Sequence, residues 1–114
     1  MKTANHRLWR ILGGRPYFAD VTVRDTPLAD RTSLARVPVE WIAAADRGIQ
    51  AALTELGAPP PVFLVKLVFT HVDTTEDSVH AAAFLATAKF FDRDHEFQLA
   101  RRADQLIVIR ARTD

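Results

Sequence analysis

The chain contains no cysteine. That excludes disulfides, thiolate metal sites and cysteine nucleophiles, and it fits a reducing compartment. Glycine is scarce, with four in 114 residues, at positions 13, 14, 48 and 57. No G-x-x-x-x-G-K-[ST] pattern occurs, so there is no loop of that kind to cradle nucleotide phosphates. Neither sign of charge dominates: 15 Lys and Arg stand against 14 Asp and Glu, for a net charge of +1. The isoelectric point of 8.3 lies below the value of about 9 that marks a nucleic-acid-binding domain by charge alone. Long apolar runs are also missing. No stretch approaches the roughly 18 apolar residues of a membrane span, and the N-terminal MKTANHRLWRILGGRPYF has no apolar core of the secretory kind. The expectation is a cytoplasmic protein with no membrane partner.

What is present is an ordinary globular composition, 48% apolar and 25% charged, in a length that fits a single domain over residues 1–114. The segment His6–Gly14 is apolar and basic without a clean period, and is read as a strand ending at Gly13-Gly14. Tyr17–Asp25 alternates, with Tyr17, Ala19, Val21 and Val23 on one side, as a half-buried strand does. With Gly13-Gly14-Arg15-Pro16 between them, the two predict an antiparallel hairpin. A polar connection follows. From about Pro38 to Leu56 a helix is predicted, with Trp41, Ile42, Ala45, Ile49, Ala52, Leu53 and Leu56 in one stripe. Gly48 interrupts it at a cost of about 1 kcal/mol relative to alanine. Its neighbours in successive turns, Ala45 and Ala52, are also small, which predicts a close approach of this helix to a sheet. Gly57 and the prolines after it stop the helix. Val62–Phe69 reads as a central strand. A second helix starts at about Thr74 or Ser78 and runs to Phe91, with Val79, Ala82, Ala83, Ala86 and Phe90 as its stripe. Asp104–Arg112 closes the chain as a strand. The order β-β-α-β-α-β predicts an α+β two-layer sandwich, a sheet of about four strands with two helices on one face.

The run Val37-Pro38-x-Glu40-Trp41-Ile42-x-Ala44-x-Asp46-Arg47-Gly48-Ile49-Gln50 resembles the first helix of domain IV of translation elongation factor G. Gly13-Gly14-Arg15 is similar to the loop that opens that family's tip hairpin. Val65-Lys66-Leu67-Val68-Phe69, running into the alanine-rich helix from Ser78 to Phe90, resembles its central strand and second helix. The resemblance implies the ribosomal protein S5 domain 2-like fold, with a left-handed β-α-β crossover where general topology rules favour a right-handed one. It implies contact with the ribosome or another structured RNA through the tips of two loops; because no nucleotide-binding or catalytic motif is present, no cofactor and no enzymatic step are expected. The chain departs from the family in three ways. It lacks the GTPase part, its connection before the first helix is shorter by about a strand, and its second tip loop places Asp73 where the family has a histidine, with His71 two residues earlier. The candidate RNA-binding residues are Gly13, Gly14, Arg15, Arg24, His71 and Asp73. Arg7 and Arg10 join Arg15 and Arg24 in a candidate basic patch, and Arg101, Arg102, Arg110 and Arg112 form a second basic group.

The polar stretch His71–His80 has two readings. Glu76 and His80, four residues apart, suit two metal ligands on one helical face. The ordinary reading is a helix N-terminus, with Asp73 and Glu76 as a capping box and Thr74, Thr75 and Ser78 as alternative caps. The ordinary reading is preferred, and no metal is expected. Ser78 with a nearby histidine matches no nucleophile pattern, so no catalytic residue is assigned. The rival to RNA binding is a protein-interaction module or homo-oligomer formed through an exposed sheet edge.

Overall fold

The computed structural model describes residues 2–29, 32–59 and 61–111. Strands β1 (Thr3–Leu12) and β2 (Arg15–Arg24) form a long antiparallel hairpin, with Leu12 opposite Arg15. The two residues between them, Gly13 and Gly14, have φ of 59° and 76°. A two-residue hairpin turn of type I′ needs positive φ at both positions, which glycine adopts without strain. A short 3₁₀ turn, Thr32–Leu34, leads to helix α1 (Val39–Leu56). Strand β3 (Phe63–Val68) then returns antiparallel to β2, with a register shift at Thr22/Val23. Helix α2 (Glu76–Phe90) follows, and strands β4 (Phe97–Arg102) and β5 (Gln105–Arg110) form a second hairpin.

The architecture is α+β: antiparallel strands layered with two helices. The inner face of the main sheet carries Ala4, Leu8, Tyr17, Ala19, Val21, Val23, Leu64 and Leu67, all buried in the core. These pack on α2, which contacts both β1 and β2. No covering helix is needed on the opposite face, which carries Arg7, Trp9, Ile11 and Phe18 by strand alternation. The uneven period of β1 has the same origin. Its inner positions include His6 and Arg10, and its outer ones Trp9 and Ile11, so neither side is purely apolar or polar.

Several sequence expectations change. There are five strands in the described residues, not about four, and they lie in a three-stranded sheet (β1-β2-β3) and a separate two-stranded one. All described pairings are antiparallel, so no two hydrogen-bonded neighbours run parallel. Strand β4 went unpredicted because it is short and ends in Arg101-Arg102. Its turn, Ala103-Asp104, holds positive φ of 50° and 67° without a glycine to announce it. Asp104 is therefore a turn residue, not the start of the last strand, and Arg112 lies outside the described residues.

Helix α2 is buried along nearly its whole circumference between Ser78 and Ala88, not along one stripe. Strands β1 and β2 cover one side, α1 another and β5 a third, and a run of mostly small and apolar residues suits that central position. Gly48 is a packing residue, but its partner is α2 and not the sheet. A Cβ there would collide with the His80 carbonyl oxygen and lie 3.0 Å from the Ala83 Cβ. The small residues Ala44, Ala45, Gly48 and Ala52 let two helix backbones meet closely. The edge of β3 left by the short connection is partly covered by the 3₁₀ turn, where the Ser33 hydroxyl donates to the Val65 carbonyl at 3.4 Å.

Candidate nucleic-acid interface

Two loops lie toward one end of the molecule. The loop from β3 to α2 is tied to β2 at Phe18. The Phe18 N–H donates to the Asp73 carbonyl (2.8 Å), and the Phe18 carbonyl accepts from the Thr74 hydroxyl (2.8 Å) and the Ser78 hydroxyl (3.1 Å). Within the loop, the Thr70 N–H donates to Thr74 Oγ1 at 2.9 Å and the Asp73 N–H to Thr70 Oγ1 at 3.0 Å. The cap of α2 is Thr75: its Oγ1 accepts from the Ser78 N–H (3.1 Å), and Ser78 Oγ accepts from the Thr75 N–H (2.9 Å). This reciprocal box replaces the expected pairing of Asp73 with Glu76. It shows why Ser78, fully buried, is a structural hydroxyl.

The structure brings Gly13, Gly14 and Arg15 to the same end as His71 and Asp73, since Phe18 is only three residues from Arg15 along β2. It does not bring Arg24 there. Arg24 lies at the other end of β2, about 30 Å away at ~3.3 Å per residue. Its guanidinium is spent on the Thr26 and Pro27 carbonyls, at 2.7 and 2.9 Å. The expected four-arginine patch separates further: Arg7 lies on the open face and is held by buried Asp20 (2.9 Å), whereas Arg10 lies on the inner face. Arg110 also leaves its expected group, paired with Glu55 and Glu96.

One basic contribution was not legible from the chain order. The Arg101 side chain packs over Gly13, whose missing Cβ leaves the space it occupies. The β4–β5 turn thus sits beside the β1–β2 turn, and Arg101 lies at the same end as Arg15. Arg101 is paired with exposed Asp104 at 2.8 Å, and the Arg15 guanidinium lies 5.5 Å from the Tyr17 ring centre. His71 is exposed with its ring 5.6 Å from Phe69, and Val72 beside it is 83% exposed.

Adjacent to these loops, the open sheet face forms a shallow groove of about 370 Å³ lined by Arg7, Trp9, Phe18, Thr70 and Asp73. Trp9 is 58% exposed and meets Phe18 edge-on, centroids 5.7 Å apart. Ile11, 71% exposed, extends the apolar strip toward the turn. Aromatic faces of this kind stack on unpaired bases and are blind to sequence.

The metal reading of His71–His80 gains no geometry. Among the described residues no three His, Asp or Glu side chains are placed to hold an ion. His80 faces a cavity with Asp77 and Gln105 beside α1, away from His71. Burial, then the nearby Arg47 charge, lowers its pKa below the ordinary 6.5, with Asp77 opposing. His6 is lowered mainly by burial too.

No family model matches the chain, and no curated protein matches it. Among solved structures the chain is similar to a crystal structure from Thermus thermophilus, that of ttk003000868, with a TM-score of 0.61 and 23% identity. The likeness covers 78% of this chain and 16% of the other, so this chain spans only a small part of that protein's length. At that identity the likeness is one of fold. No helix among the described residues is long and apolar enough to cross a membrane.

Proposed function

We propose that this chain is a non-enzymatic RNA-binding module, related to domain IV of elongation factor G, that meets the ribosome or another structured RNA with one end of the molecule. The observation that carries the reading is the convergence of the Gly13–Arg15 turn, the 70–73 loop and Arg101 of the second hairpin. The helix resemblance over Val37–Gln50 supports it independently. The guanidinium groups of Arg15, Arg101 and Arg102 supply phosphate contacts, and the Gly13-Gly14 turn lets backbone amides approach an anion closely. Arg24, which the sequence grouped with them, takes no part. Asp73 and Asp104 sit among these groups and limit the net positive charge, so binding is modest in strength, with a salt dependence set by a few phosphate contacts. With no phosphate-cradling loop in the sequence, the module binds without hydrolysing nucleotide. Its proposed location is the cytoplasm.

The test is co-sedimentation with purified small ribosomal subunits at two salt concentrations. Each phosphate contact released by salt contributes to the slope of log affinity against log salt. Binding at low salt that is lost at high salt is expected, and absence of binding at low salt removes the reading. A second reading, a protein-interaction module, is favoured by the exposed Trp9 and Ile11 strip. It predicts partner capture that is insensitive to salt and abolished by Trp9→Ala.

A further inference from the structure

We propose that the free edge of β5, together with the flank of α1 beside it, is the two-fold interface of a homodimer. The argument begins with the backbone. Arg102 pairs with Gln105 across the turn, so the hydrogen bonds to β4 fall on Gln105, Ile107 and Ile109. Leu106, Val108 and Arg110 turn their N–H and carbonyl groups away from β4. The Leu106 N–H reaches the Asp77 carboxylate at 3.3 Å. Val108 has no backbone partner on that side among the described residues. The strand is Gln-Leu-Ile-Val-Ile-Arg, with no charge, proline or bulge in its middle. An edge so bare is a template for another strand.

The ground in front of the edge is open. Two adjoining cavities of about 390 and about 220 Å³ run along it, both lined by Ala51, Phe84 and Val108. An extended backbone is the chemistry that fits, because the Val108 and Arg110 N–H groups, without a backbone partner outside the hairpin among the described residues, repeat at strand spacing.

Two charge patterns identify that backbone as a second copy of this chain. Along β5, the Asp77 carboxylate of α2 sits at the Leu106 end and Arg110 at the other, Leu106 and Arg110 each lying two residues from Val108. Antiparallel pairing centred on Val108 sets each Arg110 opposite the other copy's Leu106 and near its Asp77. On α1, Arg47, Ala51 and Glu55 are four residues apart and share one stripe. It reads positive, small, negative. Two such stripes crossing antiparallel set Arg47 against Glu55, with alanine against alanine at the centre. Arg47 has no ion pair among the described residues, and Glu55 is held at 2.9 Å by Arg110, which lies at the same interface. Ala51 and Val108 line the same cavities, so one axis serves strand and helix together. Self-complementarity about one axis is what an isologous interface requires.

Sedimentation equilibrium tests this. A dimer of the 12.8 kDa chain is expected at roughly 0.1 mM protein. Ala51→Glu places two carboxylates against each other at the axis and returns the chain to monomer. Circular dichroism checks that the variant keeps its fold. Arg47→Glu, at an exposed helical position, raises the dissociation constant about tenfold or more. The Val108 amide exchanges with solvent deuterium more slowly in the dimer than in Ala51→Glu. A wild-type chain that stays monomeric at roughly 1 mM overturns the proposal and leaves the edge to a strand of another protein. A dimer that survives Ala51→Glu and Arg47→Glu overturns it equally, since it must use a different face.

Discussion

Replacing Gly48 by alanine sets two effects of known size against each other. Within a helix, alanine is favoured over glycine by about 1 kcal/mol. Were Gly48 loosely surrounded, Gly48→Ala would stabilise the protein by that amount. The new methyl would instead meet the His80 carbonyl oxygen and the Ala83 Cβ. Both belong to α2. A backbone carbonyl inside a helix and a Cβ have no rotamer by which to move aside, so the two helices must separate. A gap of roughly 0.5–1 Å forfeits a quarter to a half of each dispersion contact across the seam. Overpacking of this kind costs about 1–3 kcal/mol. Ala44, Ala45 and Ala52 lie along the same buried seam, so the upper part of that range applies. The net expectation is a loss of about 1–2 kcal/mol after the helix gain is credited. In a chain of this size that lowers Tm by roughly 4–10 °C. Urea unfolding followed by circular dichroism gives the free energy, and a thermal scan gives Tm. An unchanged or raised Tm would refute the reasoning, because it would mean the seam has room for a methyl and Gly48 is there for another cause.

Other perturbations follow from local geometry. Helix α2 ends with Asp92 at φ 57°, and the Arg93 N–H bonds the Ala88 carbonyl at 2.9 Å. This is a Schellman turn with aspartate where glycine is preferred, so Asp92→Gly should raise stability by about 0.5–1 kcal/mol in urea titration. The Tyr17 hydroxyl is buried without a hydrogen-bond partner among the described residues, so Tyr17→Phe should be neutral or stabilising by up to about 1 kcal/mol. Glu96 is held by Arg93 and then Arg110, which lower its pKa from 4.5 to about 2. A depressed carboxylate pKa adds stability that is present above the unfolded value and is lost as pH falls from about 4.5 toward 2. Glu96→Gln should flatten the stability profile over that window, measured by urea midpoints at half-unit pH steps.

How much the chain order reveals depends on how local each determinant is. The Gly13-Gly14 turn, the alternation of Tyr17 to Val23 and the extent of α1 are set by neighbours in sequence, and all three are legible there. The closeness of Gly48 is legible as a small residue in an otherwise good helix, but its partner is not, because α2 begins 28 residues later. The burial of α2 on several sides is hidden by its alanines, which suit a one-sided stripe and a central helix equally. β4 carries neither a glycine turn nor an apolar run, and positive φ at Ala103 and Asp104 leaves no mark on residue type. The candidate interface divides in the same way. Its two turns are read from glycine, arginine and polar residues in short stretches. The tie of the 70–73 loop to Phe18, the arrival of Arg101 over Gly13 and the removal of Arg24 to the far end are products of tertiary packing. Trp9 is legible as an ambiguous aromatic, and only the sheet's open face assigns it to the surface.

The most direct test of the RNA-binding account is the salt dependence of affinity for small ribosomal subunits, measured for wild type, Arg15→Ala and Arg24→Ala. The two arginines lie on one strand at opposite ends, so they separate contact through the turn end from general electrostatic attraction. The account predicts that Arg15→Ala weakens binding and reduces the slope of log affinity against log salt by about 1, the value for one lost phosphate contact. It predicts that Arg24→Ala leaves both unchanged. Equal losses in the two variants, or no binding by wild type at low salt, would contradict it.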